Sequence, residues 1–304
     1  MPPLSRAPLL LALAVGAALG VTAPAASHAA PATTQRAPLQ VQPYHPGAKA
    51  LFQVSSSLVT GEHDAILIDA QFAASDAAHL VQRVRASGKR LTTLYISHGD
   101  PDYYFGLATL QDAFPDARIV ATAQTVAHIQ ATQAGKLAYW GPKMGADAPA
   151  RIVVPQVLDG DTLTLDGQTL QIIGLDGPTP DRTVVWIPAL RTVLGGIPVV
   201  SGEHVWMADT QSAQSHADWL ATLAKIKALK PVRVIPGHYA TGAALDVGAL
   251  DFTAAYIRAF DAEAARSADA DALVAAMKTR YPRLQGVDSL ALSAKVAKGE
   301  MRWP

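Results

Sequence analysis

The chain has 304 residues, with 25 Lys+Arg against 25 Asp+Glu, half of its residues apolar and only 16% charged. That composition excludes a disordered chain or a coiled coil, and a balanced charge without a basic block removes the footprint of a nucleic-acid binder. With no cysteine, disulfides, thiolate metal sites and Cys nucleophiles are excluded, so the chemistry falls to His, Asp, Glu, Ser, Tyr or a bound ion.

In chain order, residues 1–29 read as a secretory signal peptide. Arg6 precedes the apolar run Leu9–Val21, and small residues follow at Ala23–Ala30 with the spacing a signal peptidase uses. The run is shorter than the roughly 20 residues a membrane span needs, so cleavage is expected and no integral segment after it. This implies an exported protein, periplasmic or secreted. Residues 30–46, rich in Pro, Ala and Gln, read as a flexible N-terminal arm.

Ala65–Asp69 is a short apolar strand ending in an acid, followed by a helix over 75–87 with Gly88 as its stop. Leu91–Ile96 is the next strand and runs into Ser97-His98-Gly99-Asp100-Pro101-Asp102. A strand at 118–121 and a helix over 124–133 come next, then a loop over 134–150. Short strands at 152–157, 162–165 and 169–173 are punctuated by the Asp-Gly turns 159–160 and 166–167, and strands at 183–187 and 192–194 continue the sheet pattern. A helix over 212–229, a strand over 232–235 and the turn Pro236-Gly237-His238 follow. From about 249 to 304 the chain is Ala-rich and helical, with a break near Tyr281-Pro282. Strands alternating with helices argue for an α/β layered fold, and no linker divides 47–304.

His98-Gly99-Asp100-Pro101-Asp102 sits where a strand ends, the usual ligand edge of an α/β sheet. One imidazole and two carboxylates in so short a segment suit a divalent ion; an Asp-Pro turn capping the next helix is the alternative on local grounds. Val234-Ile235-Pro236-Gly237-His238 is a second strand running into a turn that carries His. The pair resembles the metallo-β-lactamase superfamily, whose signature is His-x-His-x-Asp-His after a strand, followed by a loop His, a bridging Asp and a final His. The resemblance extends from about Leu51 to Tyr239, including Ile66-Leu67-Ile68-Asp69, Tyr104-Phe105-Gly106 and Thr183–Pro188. It implies a four-layer αββα sandwich with additional C-terminal helices.

Carried over position by position, His98 matches the first His, Asp102 the Asp and His238 the last His. Asp100 stands at the second His of the signature and Tyr103 at its third and last. Asp176 or Pro178 takes the place of the loop His, and Ile197 that of the bridging Asp. The resemblance therefore implies one divalent ion, Zn²⁺ ahead of Mn²⁺ or Fe²⁺, held by His98, Asp100, Asp102, His238 and Asp176, with Asp102 or Asp100 taking the proton of an activated water. The implied substrate is a small-molecule ester, lactone, amide or phosphoester. The other reading is a non-catalytic binding protein on the same fold, with no metal. Asp69 orients the metal loop, Tyr103 stabilises an oxyanion or packs, and His204 either faces the pocket or lies in a surface loop. Trp140 lines a groove or anchors its loop, and His45, His63, His79, His128 and His216 are expected at the surface.

Overall fold

Alternating side chains along the central strands divide the apolar residues into three separate clusters, and the architecture follows from that. In the computed structural model, which describes residues 37–303, the first strands are β1 (Gln40–Tyr44), β2 (Ser56–Thr60) and β3 (Asp64–Ile68). Helix α1 (Ala74–Ser87) leads to β4 (Arg90–Ile96), then α2 (Pro101–Tyr104), α3 (Leu107–Ala113), β5 (Arg118–Ala121), α4 (Ala123–Met144) and β6 (Gln156–Val157). These six strands form one sheet in the order β1-β2-β3-β4-β5-β6, antiparallel up to β3 and parallel beyond it.

The second sheet is built from β7 (Thr162–Leu165), β8 (Gln168–Ile173), β9 (Val184–Ile187) and β10 (Thr192–Leu194), with a later strand completing it. After β11 (Val200–Ser201) and α5 (Ala213–Ala228) that strand arrives as β12 (Arg233–Ile235), parallel to β10, giving the order β12-β10-β9-β8-β7. β13 (His238–Tyr239) pairs with β11, and α6 (Gly248–Arg266), α7 (Ala270–Arg280) and α8 (Val287–Ala297) close the chain.

Ala65 and Leu67 of β3 face a cluster with α1 and α3, whereas Ile66 and Ile68 face a cluster shared with the other sheet. On β9, Val185 and Ile187 join that inter-sheet cluster, while Val184 and Trp186 point outward to Trp219, Tyr256 and Phe260 of α5 and α6. Three apolar interfaces separate four layers, so the fold is an αββα sandwich with the C-terminal helices on the outer face of the second sheet.

Two expectations need correction. The signal segment 1–29 and residues 30–36 lie outside the described residues, but 40–44 are not part of a loose arm: they pair antiparallel with β2, Gln40 opposite Thr60 and Tyr44 opposite Ser56. Pro43 is tolerated because β1 is an edge strand. The loop expected over 134–150 is largely helix, since α4 continues to Met144. Thr122 caps it by accepting the Thr125 N–H at 3.2 Å. Leu137, Trp140 and Met144 pack on the first cluster, which carries the helix through Gly135 and on to Pro142 in its last turn, where the missing N–H gives up one bond to the Ala138 carbonyl. Among the described residues no helix is long and apolar enough to cross a membrane.

Candidate ligand cleft at the strand edge

Strands β3, β4, β10 and β12 all end on one edge, and their following turns bring the predicted residues together. Asp69, just past β3 in the left-handed region (φ 63°), accepts the Ser97 N–H at 2.8 Å and the Ser97 hydroxyl at 2.7 Å. That hydroxyl accepts the Gly196 N–H at 2.8 Å, which ties the ends of β3, β4 and β10 into one unit. Asp69 is fully buried, and burial pushes its carboxyl up to about 7. Through Ser97 it holds the first residue of the loop after β4 from behind. Gly237 is required by close approach: a Cβ there would lie 1.9 Å from the Gly196 carbonyl oxygen and 2.7 Å from the Tyr103 hydroxyl.

His98, Asp100, Asp102 and His238 all line the resulting cleft, of about 940 Å³. Their polar atoms are turned toward one another and toward protein cations. Lys136 of α4 places its ammonium 2.6 Å from Asp100 Oδ1 and 3.0 Å from His128 Nε2. Asp100 is burdened by burial, yet His98, Lys136 and His128 together hold its carboxyl well below the usual carboxylate range. His98 lies 3.4 Å from Asp100 through Nδ1 and is 5% exposed; burial lowers it to about 3, so its ring is neutral. His238 is clamped between two acids, Nε2 at 2.9 Å from Asp102 and Nδ1 at 3.5 Å from Glu203. Burial opposes its charge, but both carboxylates outweigh it and raise it to about 10, so His238 is an imidazolium.

Tyr103 stands between the two imidazoles, 5.3 Å from the His98 ring and 5.8 Å from that of His238. Among the described residues its hydroxyl is buried with no hydrogen-bond partner, as is that of Tyr104. Ile197 is 5% exposed and packs into the first apolar cluster. Asp176 lies on the exposed loop after β8, ion-paired with Lys225 of α5, and does not line the cleft. His204 is not a surface residue. It is 3% exposed and lines the cleft, with Nδ1 2.9 Å from the Tyr256 hydroxyl, and burial lowers it to about 4.

Members of the superfamily that the sequence resembles commonly bind divalent metals, but the residues present here do not fit one. Among the described residues no group of three or more His, Cys, Asp or Glu side chains is arranged to hold a metal ion. A metal needs neutral imidazole and free carboxylate lone pairs converging on one point. Here Lys136 supplies the positive charge to Asp100, and His238 spends both ring nitrogens on Asp102 and Glu203. A phenol and an isoleucine occupy the third-His and bridging positions.

Several residues of the cleft had no signal in the sequence motif: Glu203, Lys136, Arg182 and His128, the last expected at the surface. Lys136 and His128 lie on α4, one helical turn apart twice over, a spacing legible only once that helix is known to run past 133. His216, also expected at the surface, is buried away from the cleft with Nδ1 2.6 Å from Asp261. The outer wall is aromatic. Trp206 and Trp303 each donate an indole N–H to Asp209 at 2.7 Å and pack at 5.3 Å, so the C-terminal tail closes one side. Trp140 faces it from α4 and anchors that helix on Phe52.

The comparisons agree with this architecture. The profile of the metallo-beta-lactamase superfamily matches residues 50–238. A metallo-beta-lactamase family protein from Thermus thermophilus superposes with a TM-score of 0.60 at 16% identity, over 86% of this chain and 91% of that one. A metallo-beta-lactamase from Pontibacter korlensis gives 0.54 at 18% identity, over 74% and 97%. The beta-lactamase-like protein 2 homolog of Caenorhabditis elegans is 31% identical over 80 residues, which are 26% of this chain and 25% of that protein's length. The fold is thus a metallo-hydrolase fold. The chain belongs to the metallo-β-lactamase superfamily.

Proposed function

We propose that this chain is an exported small-molecule-binding member of the superfamily in which internal ion pairs replace the metal centre. One observation carries the reading: the acids at the edge already face basic side chains, with the Lys136 ammonium 2.6 Å from Asp100 and the His238 ring between Asp102 and Glu203 at 2.9 and 3.5 Å. Recruiting a metal would require deprotonating His238 and expelling Lys136, each against favourable charge pairing. An imidazolium between two carboxylates donates hydrogen bonds but accepts no proton at neutral pH, so His238 does not serve as a general base. The cleft itself remains large and aromatic-walled, the form of a small-molecule site.

A mononuclear hydrolase keeps one observation in its favour: His98, Asp100, Asp102 and His238 line the same cleft. The two readings separate in one assay. Turnover of ester, lactone, amide and phosphoester substrates is measured with and without added Zn²⁺, Mn²⁺ or Fe²⁺, in parallel with Asp102→Asn. The binding reading predicts no metal-dependent turnover above that variant. Turnover that rises with added metal and is lost in Asp102→Asn establishes the hydrolase instead.

A further inference from the structure

Arg182, at the end of the loop between β8 and β9, is 7% exposed and lines the cleft. Its backbone N–H donates to the Thr179 carbonyl at 2.9 Å, fixing the turn. Its guanidinium lies over the Trp219 ring at 5.2 Å. Among the described residues it forms no ion pair and donates no side-chain hydrogen bond. Every other buried charge in the cleft has a partner, so this one stands out: a guanidinium has five N–H donors and is among the side chains least often buried without a counter-ion. The neighbouring acids are engaged elsewhere, Asp100 by Lys136 and Asp209 by two indoles.

We propose that Arg182 is the anion-recognition group of the cleft, and that the ligand is an organic monocarboxylate with an apolar or aromatic body. This rests on the binding reading above and specifies its ligand. The face of the guanidinium is covered by Trp219, so its edge is what remains to offer, and a planar carboxylate matches that edge with two parallel hydrogen bonds. A monoanion fits better than a phosphate dianion, because Asp100, Asp181 and Asp209 line the same cleft and repel the second charge. The body of the ligand meets Trp140, Trp206 and Trp303, which supply apolar area and a rigid wall.

The test is calorimetric titration of the full chain with 4-phenylbutyrate, 4-phenylbutan-1-ol and phenyl phosphate, for the wild type and for Arg182→Met. The wild type binds the carboxylate at least tenfold more tightly than the alcohol or the phosphate. Arg182→Met binds acid and alcohol alike and keeps the wild-type affinity for the alcohol. Melting without ligand supplies an independent readout: Arg182→Met melts above the wild type, because an uncompensated buried charge has been removed. Absence of acid preference in the wild type, an acid preference retained in Arg182→Met, a phosphate preference, or a lower melting temperature for the variant overturns the proposal. A chain that holds metal yet loses its acid preference in Arg182→Met overturns the metal-free reading and leaves this one standing. A metal-free chain without acid preference does the reverse.

Discussion

At the scale of single residues, His238 is the keystone of the strand edge. It pairs with Asp102 and Glu203 at once, so His238→Ala takes the shared cation away from two buried carboxylates. Loss of one member of a buried pair costs about 3–5 kcal/mol, and that is the drop expected in a urea denaturation. Excess Zn²⁺ should not restore it. The histidines also set the pH dependence, with opposite signs. His204, lowered to about 4, and His98, lowered to about 3, resist protonation when folded, whereas the unfolded chain takes it up near 6.5. Stability therefore falls as pH drops from about 6.5 towards 4. His238, raised to about 10, contributes fully below about 6.5 and loses that contribution as pH climbs towards 10. Melting temperature should peak near pH 6.5, and His204→Gln should lose about 1–2 kcal/mol less than the wild type between pH 7 and 5. An acid limb unchanged in that variant would contradict the assignment.

What the sequence could say about the site follows from where the information lies. His98, Asp100, Asp102 and His238 sit in turns whose Gly and Pro residues announce them, and the structure brings all four to one cleft. Lys136, Glu203 and Arg182 carry no such local mark, because their roles exist only through partners far along the chain. Asp176 follows only from alignment to a missing His, and local pairing with Lys225 takes it elsewhere.

At the scale of elements, the alternating strands were legible because each face of β3 and β9 is buried against a different layer and the apolar runs are continuous. The helix α4 was not, since Gly135, Gly141 and Pro142 carry weak helix preference and only tertiary packing decides their state. Trp140 is the anchor: its ring meets Phe52 at 5.1 Å and Phe72 at 5.8 Å, both edge-on. Trp140→Ala should cost about 2–3 kcal/mol, a half-buried aromatic losing its cluster. Hydrogen exchange should then quicken over 134–144 while 123–133, held by the Thr122 cap, keeps its protection. Uniform exchange along the whole helix would mean that Trp140 does not hold the second half. β1 was missed for a related reason: Pro43 reads as a strand breaker, and only an edge position with a fully paired neighbour accommodates it.

At the scale of the whole molecule, three apolar interfaces hold four layers, and the strand edge they create is the same edge at which other members of the superfamily gather metal ligands. The scaffold is retained while the acids at that edge are paired from within, Asp100 by Lys136 and both Asp102 and Glu203 by His238. Fold alone does not supply activity, and the charge pairing inside the cleft is what supports the proposed binding role. Export through the signal expected over residues 1–29 is part of the proposal, and N-terminal sequencing of secreted or periplasmic protein tests it: a mature chain starting near Ala30 is the expected result.

The most direct measurement is elemental analysis of the mature protein, purified without chelator or histidine tag and then dialysed after exposure to excess Zn²⁺ and Mn²⁺. The account predicts well under one equivalent of any transition metal per chain, with the same melting temperature before and after chelator. About one equivalent of metal, lost together with stability on chelation, would contradict it.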